Sequence, residues 1–102
     1  RFREDYLALI PDGYTNNHLL VVREAGSEIT VDGAVVPNDR FTAVGAGTYE
    51  YVHIDVSPGV FSLEGDAPFA VYAYGYDSAV SYGYPAGLNL VGNQVSGDPN
   101  GE

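Results

Sequence analysis

The chain has 102 residues, enough for one domain with a single hydrophobic core. Fourteen acidic residues face four arginines and no lysine, so the net charge is −10, which excludes phosphate-based nucleic-acid binding and disfavours adhesion to anionic membranes. Cysteine is absent, which excludes disulfides and thiolate metal sites, and no apolar run is long enough for membrane insertion. The acidic balance indicates a self-repelling soluble surface or one that binds divalent cations.

The first half of the chain predicts short strands separated by turn residues. The apolar run Tyr6–Ile10 ends at a Pro-Asp-Gly turn, and His18–Arg23 predicts a second strand. Asp32-Gly33 separates two β-forming triplets and supplies the positive φ that a two-residue type I′ turn requires. We therefore expect a hairpin over Ile29–Val36, followed by a short strand at Phe41–Val44.

The middle of the chain alternates between apolar and polar residues. Over Thr48–Val56, one face carries Val52, Ile54 and Val56. The other face is amphipathic and carries Tyr49, Tyr51, His53 and Asp55. A turn at Ser57-Pro58-Gly59 then leads into a strand at Val60–Leu63.

The stretch 66–88 organises the chain, because it is its most apolar and aromatic part. It predicts two strands, Phe69–Tyr76 and Val80–Tyr84, joined by a short polar turn. Pro85-Ala86-Gly87 predicts a chain reversal, after which Leu88–Val91 forms a last short strand. The predicted core residues of this and the preceding strands are Val52, Ile54, Phe61, Leu63, Phe69 and Val71.

Strands recurring at short intervals, with no helical period, predict an all-β fold. We expect an antiparallel two-sheet sandwich, jelly-roll-like, over residues 1–92. Residues 93–102 predict a polar linker or tail. The chain opens at Arg1-Phe2-Arg3 without a methionine, so we expect a part of a longer protein, with neighbouring domains of that protein among its partners.

The tyrosines are the strongest candidates for a ligand-binding site. Because side chains alternate along a strand, Tyr72, Tyr74 and Tyr76 share one face, and Tyr82 and Tyr84 follow in the next strand. Tyrosine has a rigid apolar ring with a polar tip, which suits protein interfaces and sugar stacking. The alternative is that these rings pack internally and that Ser81–Gly87 fixes a corner of the fold. Gly83 between two rings would then leave room for another backbone.

The sequence assembles no catalytic motif. Serine never occurs in a nucleophile elbow, and His53 with Asp55 is better explained as a polar pair on a strand. With two histidines and no cysteine, the chain has few of the ligands that transition metals prefer. Calcium suits oxygen ligands better, and its candidate ligands are Asp98, Asn100 and Glu102, with the loop 12–17 as a second oxygen-rich segment.

The stretch 66–88 also resembles a known family. Ala67-Pro68-Phe69, Tyr72, Tyr74-Gly75 and Ser81–Gly87 are similar to the signature of the IgGFc-binding protein N-terminal domain family. Ile10–Tyr14 and the Val31-Asp32-Gly33 hairpin fit the same pattern, so the resemblance covers residues 6–90. The acidic, cysteine-free character indicates a bacterial relative.

The resemblance implies a non-catalytic interaction or adhesion module of a larger secreted or cell-surface protein. Its expected partner is an extracellular protein or a glycan. Binding to the Fc part of IgG is not carried over, because no residue of the matching motif is tied to it. The alternatives are a carbohydrate-binding or accessory domain of a secreted enzyme and a structural spacer in a surface stalk.

Overall fold

The computed structural model describes residues 4–88 as two antiparallel β-sheets packed face to face. The nine strands are β1 (Glu4–Ile10), β2 (Asn16–Glu24), β3 (Ile29–Val31), β4 (Ala34–Val35), β5 (Thr42–Val44), β6 (Tyr49–Asp55), β7 (Gly59–Gly65), β8 (Phe69–Tyr76) and β9 (Ser81–Leu88). One sheet has the order β1-β7-β3-β4 and the other β5-β6-β2-β8-β9. The predicted antiparallel two-sheet sandwich is therefore confirmed. Between Glu4 and Leu88, no helix is long and apolar enough to cross a membrane.

The core lies between the sheets and is built from alternate residues of each strand. Phe69, Leu63, Val71 and Val52 are buried as predicted, whereas Ile54 and Phe61 are partly buried against the same cluster. The same core contains Leu19 and Val21 of β2 and Ala8 and Ile10 of β1. The period-2 patterns therefore assigned the core face of these strands correctly.

The Asp32-Gly33 hairpin forms as predicted. Asp32 has φ 50° and Gly33 has φ 85°, the left-handed conformations of a type I′ turn. The turn is also attached to the neighbouring strand, because the Asp32 carboxylate accepts a hydrogen bond from the Ser62 amide at 2.8 Å. The Asp32 amide in turn donates to the Ser62 carbonyl at 2.7 Å.

The predicted chain reversal at Pro85-Ala86-Gly87 is wrong, because these residues continue β9 to Leu88. Gly87 pairs with Val71 and Pro85 with Tyr72, so Ala86 is an extra residue in a β-bulge. Proline is tolerated here because β9 is the last strand in the order of its sheet and a bulge removes the need for a ladder N–H. Of the predicted last strand Leu88–Val91, only Leu88 belongs to the described residues, where it ends β9.

A buried arginine joins strand β6 and two connecting segments at one end of the sandwich. Arg23 is 1% exposed and lies 2.7 Å from the Glu50 carboxylate. Its guanidinium also donates to the Ser27 carbonyl and the Asn38 side chain, and it covers the Phe41 ring at 3.6 Å. The hydrogen bond from Arg23, followed by one from the Gly26 amide, lowers the pKa of Glu50. The alternation of side chains along β2 places the Arg23 guanidinium on the core face, and the ion pair with Glu50 compensates its buried charge.

The sandwich is closed at one side by contacts between β1 and β9. The Tyr84 hydroxyl accepts a hydrogen bond from the Leu9 amide at 2.8 Å and donates to the Leu9 carbonyl. Tyr6 packs its ring over Gly87, where an added Cβ would lie 2.3 Å from Tyr6 Cγ. The Tyr6 hydroxyl donates to Glu4 at 2.7 Å, and burial together with this carboxylate raises the pKa of Tyr6.

Candidate functional site

The outer face of the five-stranded sheet carries the strongest candidate site. Three neighbouring strands, β6, β2 and β8, each present alternate side chains to this face. The register sets His18 opposite both Asp55 and Tyr74, and Leu20 opposite both His53 and Tyr72. We call this surface the outer aromatic face, and it consists of Tyr51, His53, Asp55, His18, Leu20, Val22, Ala70, Tyr72, Tyr74, Tyr76 and Pro85.

The rings of this face are ordered by stacking. The His18 ring is stacked with Tyr74 at 5.0 Å between centroids and with Tyr76 at 5.8 Å. His53 lies edge-on to Tyr51 at 5.7 Å and to Tyr74 at 6.1 Å. Tyr74 and Tyr76 are therefore held by neighbouring rings rather than extended freely into solvent, which lowers the entropy lost on binding.

Two polar contacts fix the histidines. His18 Nδ1 lies 2.7 Å from Asp55 Oδ1, and Asp55 keeps a side chain that is 88% exposed. Tyr74 Oη lies 2.9 Å from His53 Nδ1. Burial, followed by Tyr76 and Asp55, raises the pKa of Tyr74. Asp55 therefore pairs with His18 across the strands, and not with His53 on its own strand.

An apolar depression lies beside the rings, at the β-bulge between β8 and β9. Its volume is about 170 Å³, and it is lined by Leu20, Val22, Ala70, Tyr72 and Pro85, with Val71 and Gly87 at its base. Tyr72 forms one wall and is 42% exposed, and Tyr76 further along the strand is 44% exposed. The Tyr72 ring also lies against Gly83, where an added Cβ would be 2.8 Å from the Tyr72 hydroxyl.

The structure separates the five predicted tyrosines into two groups. Tyr72, Tyr74 and Tyr76 come together on the outer aromatic face, as the alternation predicts. Tyr82 and Tyr84 project from the opposite face of β9 and pack against the core. The close approach at Gly83 is made by a ring, that of Tyr72, rather than by the backbone that the sequence led us to expect.

Tyr82 is held by its own set of contacts. Its hydroxyl donates to Asn17 Oδ1 at 3.0 Å, and its ring lies edge-on to Tyr14 at 4.8 Å. Burial, followed by Tyr84 and Tyr14, raises the pKa of Tyr82. An added Cβ on Gly75 would lie 2.3 Å from the Tyr82 ring, so this glycine is needed for the ring to fit.

The predicted calcium ligands Asp98, Asn100 and Glu102 lie outside the described residues. Within residues 4–88, no group of three or more histidine or acidic side chains is arranged to hold a metal ion. In the second oxygen-rich loop, the Thr15 hydroxyl donates to Asp77 at 2.5 Å, and Asn17 donates to the Tyr14 carbonyl at 2.9 Å. The first contact joins the loop to the turn that follows β8, and the second joins it to the start of β2.

Sequence reasoning missed the contribution of β2 to the outer aromatic face. The segment His18–Arg23 was predicted as a strand, but no face was assigned to it. The alternation His18, Leu20, Val22 against Leu19, Val21 was the available signal. What the sequence could not supply was the register that sets His18 against Asp55 and Tyr74.

Comparison of the sequence with known protein families matches residues 1–75 to the family described as IgGFc binding protein. The chain belongs to this family. The matched segment contains the strands that form most of the outer aromatic face of this IgGFc-binding family domain, β6, β2 and nearly all of β8. It ends before the Ser81–Gly87 motif that suggested the resemblance. No curated protein and no solved structure matches the sequence significantly.

Proposed function

We propose that this domain is a non-catalytic protein-binding module of a larger extracellular or cell-surface protein, and that it acts in adhesion. Membership in the IgGFc binding protein family supports a protein partner. The proposed contact surface is the outer aromatic face. The observation that carries this assignment is that Tyr72 and Tyr76 remain more than 40% exposed while fixed on a central strand of the sheet.

The chemistry of the two sheet faces favours this surface. The outer face of the four-stranded sheet also exposes apolar side chains, Leu7, Leu9 and Val60, but these are aliphatic. Interface residues that dominate binding energy are enriched in tyrosine, tryptophan and arginine, whereas leucine and valine are under-represented among them. The exposed tyrosines therefore make the five-stranded sheet the better binding surface, and the aliphatic face supplies a matched control.

The polar contacts of the site support a binding role over catalysis. The only two histidines of the chain have their Nδ1 atoms next to Asp55 and Tyr74, on an open sheet surface. A hydrolytic site requires a nucleophile within reach of its base and a region shielded from water. An open face of stacked rings meets the needs of a partner surface instead.

Carbohydrate binding is the second candidate function, and a specific observation favours it. Exposed tyrosine rings can stack on sugar faces, and the open Asp55 carboxylate beside them could accept hydrogen bonds from sugar hydroxyls. The depression beside Tyr72 is apolar, however, and a sugar hydroxyl placed in it would lose its hydrogen bonds to water. A protein side chain fits that part of the face better.

The test is a binding screen against purified extracellular proteins, including the Fc part of IgG, in parallel with a glycan array. The double variant Tyr72→Ser/Tyr76→Ser should lose at least about tenfold in affinity for any protein that the natural domain binds. The control Leu7→Ser/Val60→Ser, on the opposite sheet, should leave the affinity unchanged. Binding that survives the tyrosine changes, or binding to glycans alone, would overturn the proposal. Labelling of intact cells that express the parent protein checks its surface location.

A further inference from the structure

The depression beside Tyr72 has the size and lining of a receptor for one apolar side chain. Its volume is about 170 Å³, and a dry apolar cavity of about 150 Å³ accommodates a molecule as large as benzene. Its walls come from Leu20, Val22, Ala70, Tyr72 and Pro85, all on the outward side of their strands. The depression lies at the β-bulge, where Gly87 and Pro85 pair with the consecutive residues Val71 and Tyr72 of β8. The backbone of the bulge therefore forms the base of the depression, and side chains of β2, β8 and β9 form its walls.

Acidic side chains lie on the outer aromatic face and at the ends of its strands. On the same face, Asp55 is 88% exposed next to His18, and Glu24 occupies the end of β2 beyond Val22. Asp77 follows Tyr76 at the end of β8. Among the described residues, Arg23 is buried in its ion pair, and Arg40 donates to the His53 carbonyl at 3.3 Å at the β6 edge. Acidic groups therefore outnumber cations around the face, in a chain whose net charge is −10.

The tyrosine rings between these acids complete a recognition surface for cations. A lysine or arginine side chain over a tyrosine face gains a cation–π attraction, and a nearby carboxylate adds a charge-assisted hydrogen bond. Tyr72 and Tyr76 are exposed on either side of Tyr74, and Asp55 lies across β2 from Tyr74. Apolar insertion and cation binding would thus occur side by side on one strand.

We infer, on the basis of the function proposed above, that the outer aromatic face binds a cationic protein segment. The segment places one apolar side chain in the depression and lays an adjacent lysine or arginine over the tyrosines towards Asp55. The apolar contact supplies most of the affinity, because it removes both surfaces from water. The charges mainly accelerate association and select against acidic partners.

The first experiment titrates the domain with the capped peptide Gly-Lys-Phe-Lys-Gly and follows its amide resonances by NMR. Saturable shifts should cluster at Leu20, Val22, Tyr72 and Gly87. Replacing the peptide phenylalanine with serine, or both lysines with glutamate, should weaken binding by at least about tenfold, since each change removes one of the two contacts. The inference is overturned if shifts fail to saturate at millimolar peptide, if they map to the four-stranded sheet, or if the glutamate peptide binds equally well.

The second experiment uses variants of the domain with the peptide and with any protein found in the screen. Ala70→Leu fills the depression and should weaken binding by at least about tenfold, whereas Ala34→Leu on the exposed hairpin is the matched control. Asp55→Asn should weaken binding about threefold at low salt and have no effect at high salt, because salt screens exposed charges. Melting temperatures of the variants verify that they fold.

The two proposals fail in different ways. If a protein partner depends on Tyr72 and Tyr76 but is insensitive to both Ala70→Leu and Asp55→Asn, the binding face stands and the partner chemistry inferred here is wrong. If partner binding is insensitive to the tyrosines as well, the binding face itself is wrong. Binding to glycans that is unaffected by Ala70→Leu would assign the face to carbohydrate and would also overturn this inference.

Discussion

Removing the Tyr84 hydroxyl is expected to destabilise the domain by about 1–2 kcal/mol. The hydroxyl makes two hydrogen bonds with the Leu9 backbone, one as acceptor and one as donor. Each is worth about 0.5–1.5 kcal/mol net, and solvent can partly replace them because Leu9 is 58% exposed. Two such bonds together contribute about 1–3 kcal/mol, and we expect Tyr84→Phe to lower the free energy of unfolding by an amount in the lower half of that range. Tyr84→Ala also removes a half-buried ring packed against the core, so its loss should reach about 3 kcal/mol.

Urea unfolding at constant pH measures both variants, and the slope of the transition verifies that unfolding stays two-state. Tyr72→Phe is the control, because its ring lies on the outer aromatic face; it should change stability by less than about 0.5 kcal/mol. If Tyr84→Phe is as mild as this control, the bonds to Leu9 contribute nothing beyond what water supplies. If Tyr84→Ala is equally mild, β9 is not held to β1 by this ring, and the structural role of the Ser81–Gly87 motif is refuted.

Four further predictions concern the core, a glycine, an ion pair and calcium. Phe69→Ala should cost about 3–5 kcal/mol in the same unfolding assay, because Phe69 is fully buried, and a loss under about 1 kcal/mol would contradict that. Gly75→Ala should reduce the free energy of unfolding by at least about 2 kcal/mol, because the new Cβ would lie 2.7 Å from the backbone carbonyl oxygen of Asn16. Gly83→Ala should cost less, because its Cβ would meet the Tyr72 side chain, which can move. The pKa of Glu50 in the folded domain lies below its ordinary 4.5, so its ion pair stabilises the fold above pH 4.5 and this stabilisation is lost as the pH falls through the folded-state pKa. The natural domain should therefore melt at a higher temperature than Glu50→Gln near neutral pH, and the difference should disappear on acidification. A difference that stays constant with pH would refute the pairing. If calcium binds the folded chain, millimolar calcium should raise the melting temperature and chelator should reverse the rise, whereas no change would remove the calcium prediction for this chain.

Local sequence patterns were sufficient to predict the strands and the face on which Tyr72, Tyr74 and Tyr76 lie. Alternation along β6 and β8 depends only on neighbouring residues, and so does the positive φ of Asp32-Gly33. Most strand bounds were therefore predicted within one to three residues. Pro85 was misread because the local rule treats proline as a terminator, whereas an edge position and a bulge remove the need for its missing N–H.

Contacts between distant residues could not be predicted in the same way. Alternation places Arg23 on the core face of β2, but only the fold shows that Glu50, Ser27, Asn38 and Phe41 converge to accept its charge. The same holds for Tyr84, whose partner Leu9 is 75 positions away in the sequence. Sequence periodicity specifies which side of a strand a residue occupies, but the register between strands depends on the whole assembled core.

The contact between β1 and β9 would carry load if the two ends of the described chain were pulled apart. Tyr6 lies over Gly87 and Tyr84 bonds to Leu9, so the two strands run past each other in opposite directions. Glu4 and Leu88 therefore lie at the same end of this contact. A force pulling these two residues apart would open the contact like a zip, first at Tyr6 and Gly87 and then at Tyr84 and Leu9, instead of breaking all contacts at once.

Sequential rupture of this kind resists force weakly, because only one contact is loaded at a time. The terminal strands would separate before the central strands β2 and β8, which carry the outer aromatic face and are paired on both sides. Under load at these two residues, such an arrangement would let the domain lengthen at modest force while the strands of the outer aromatic face stay paired.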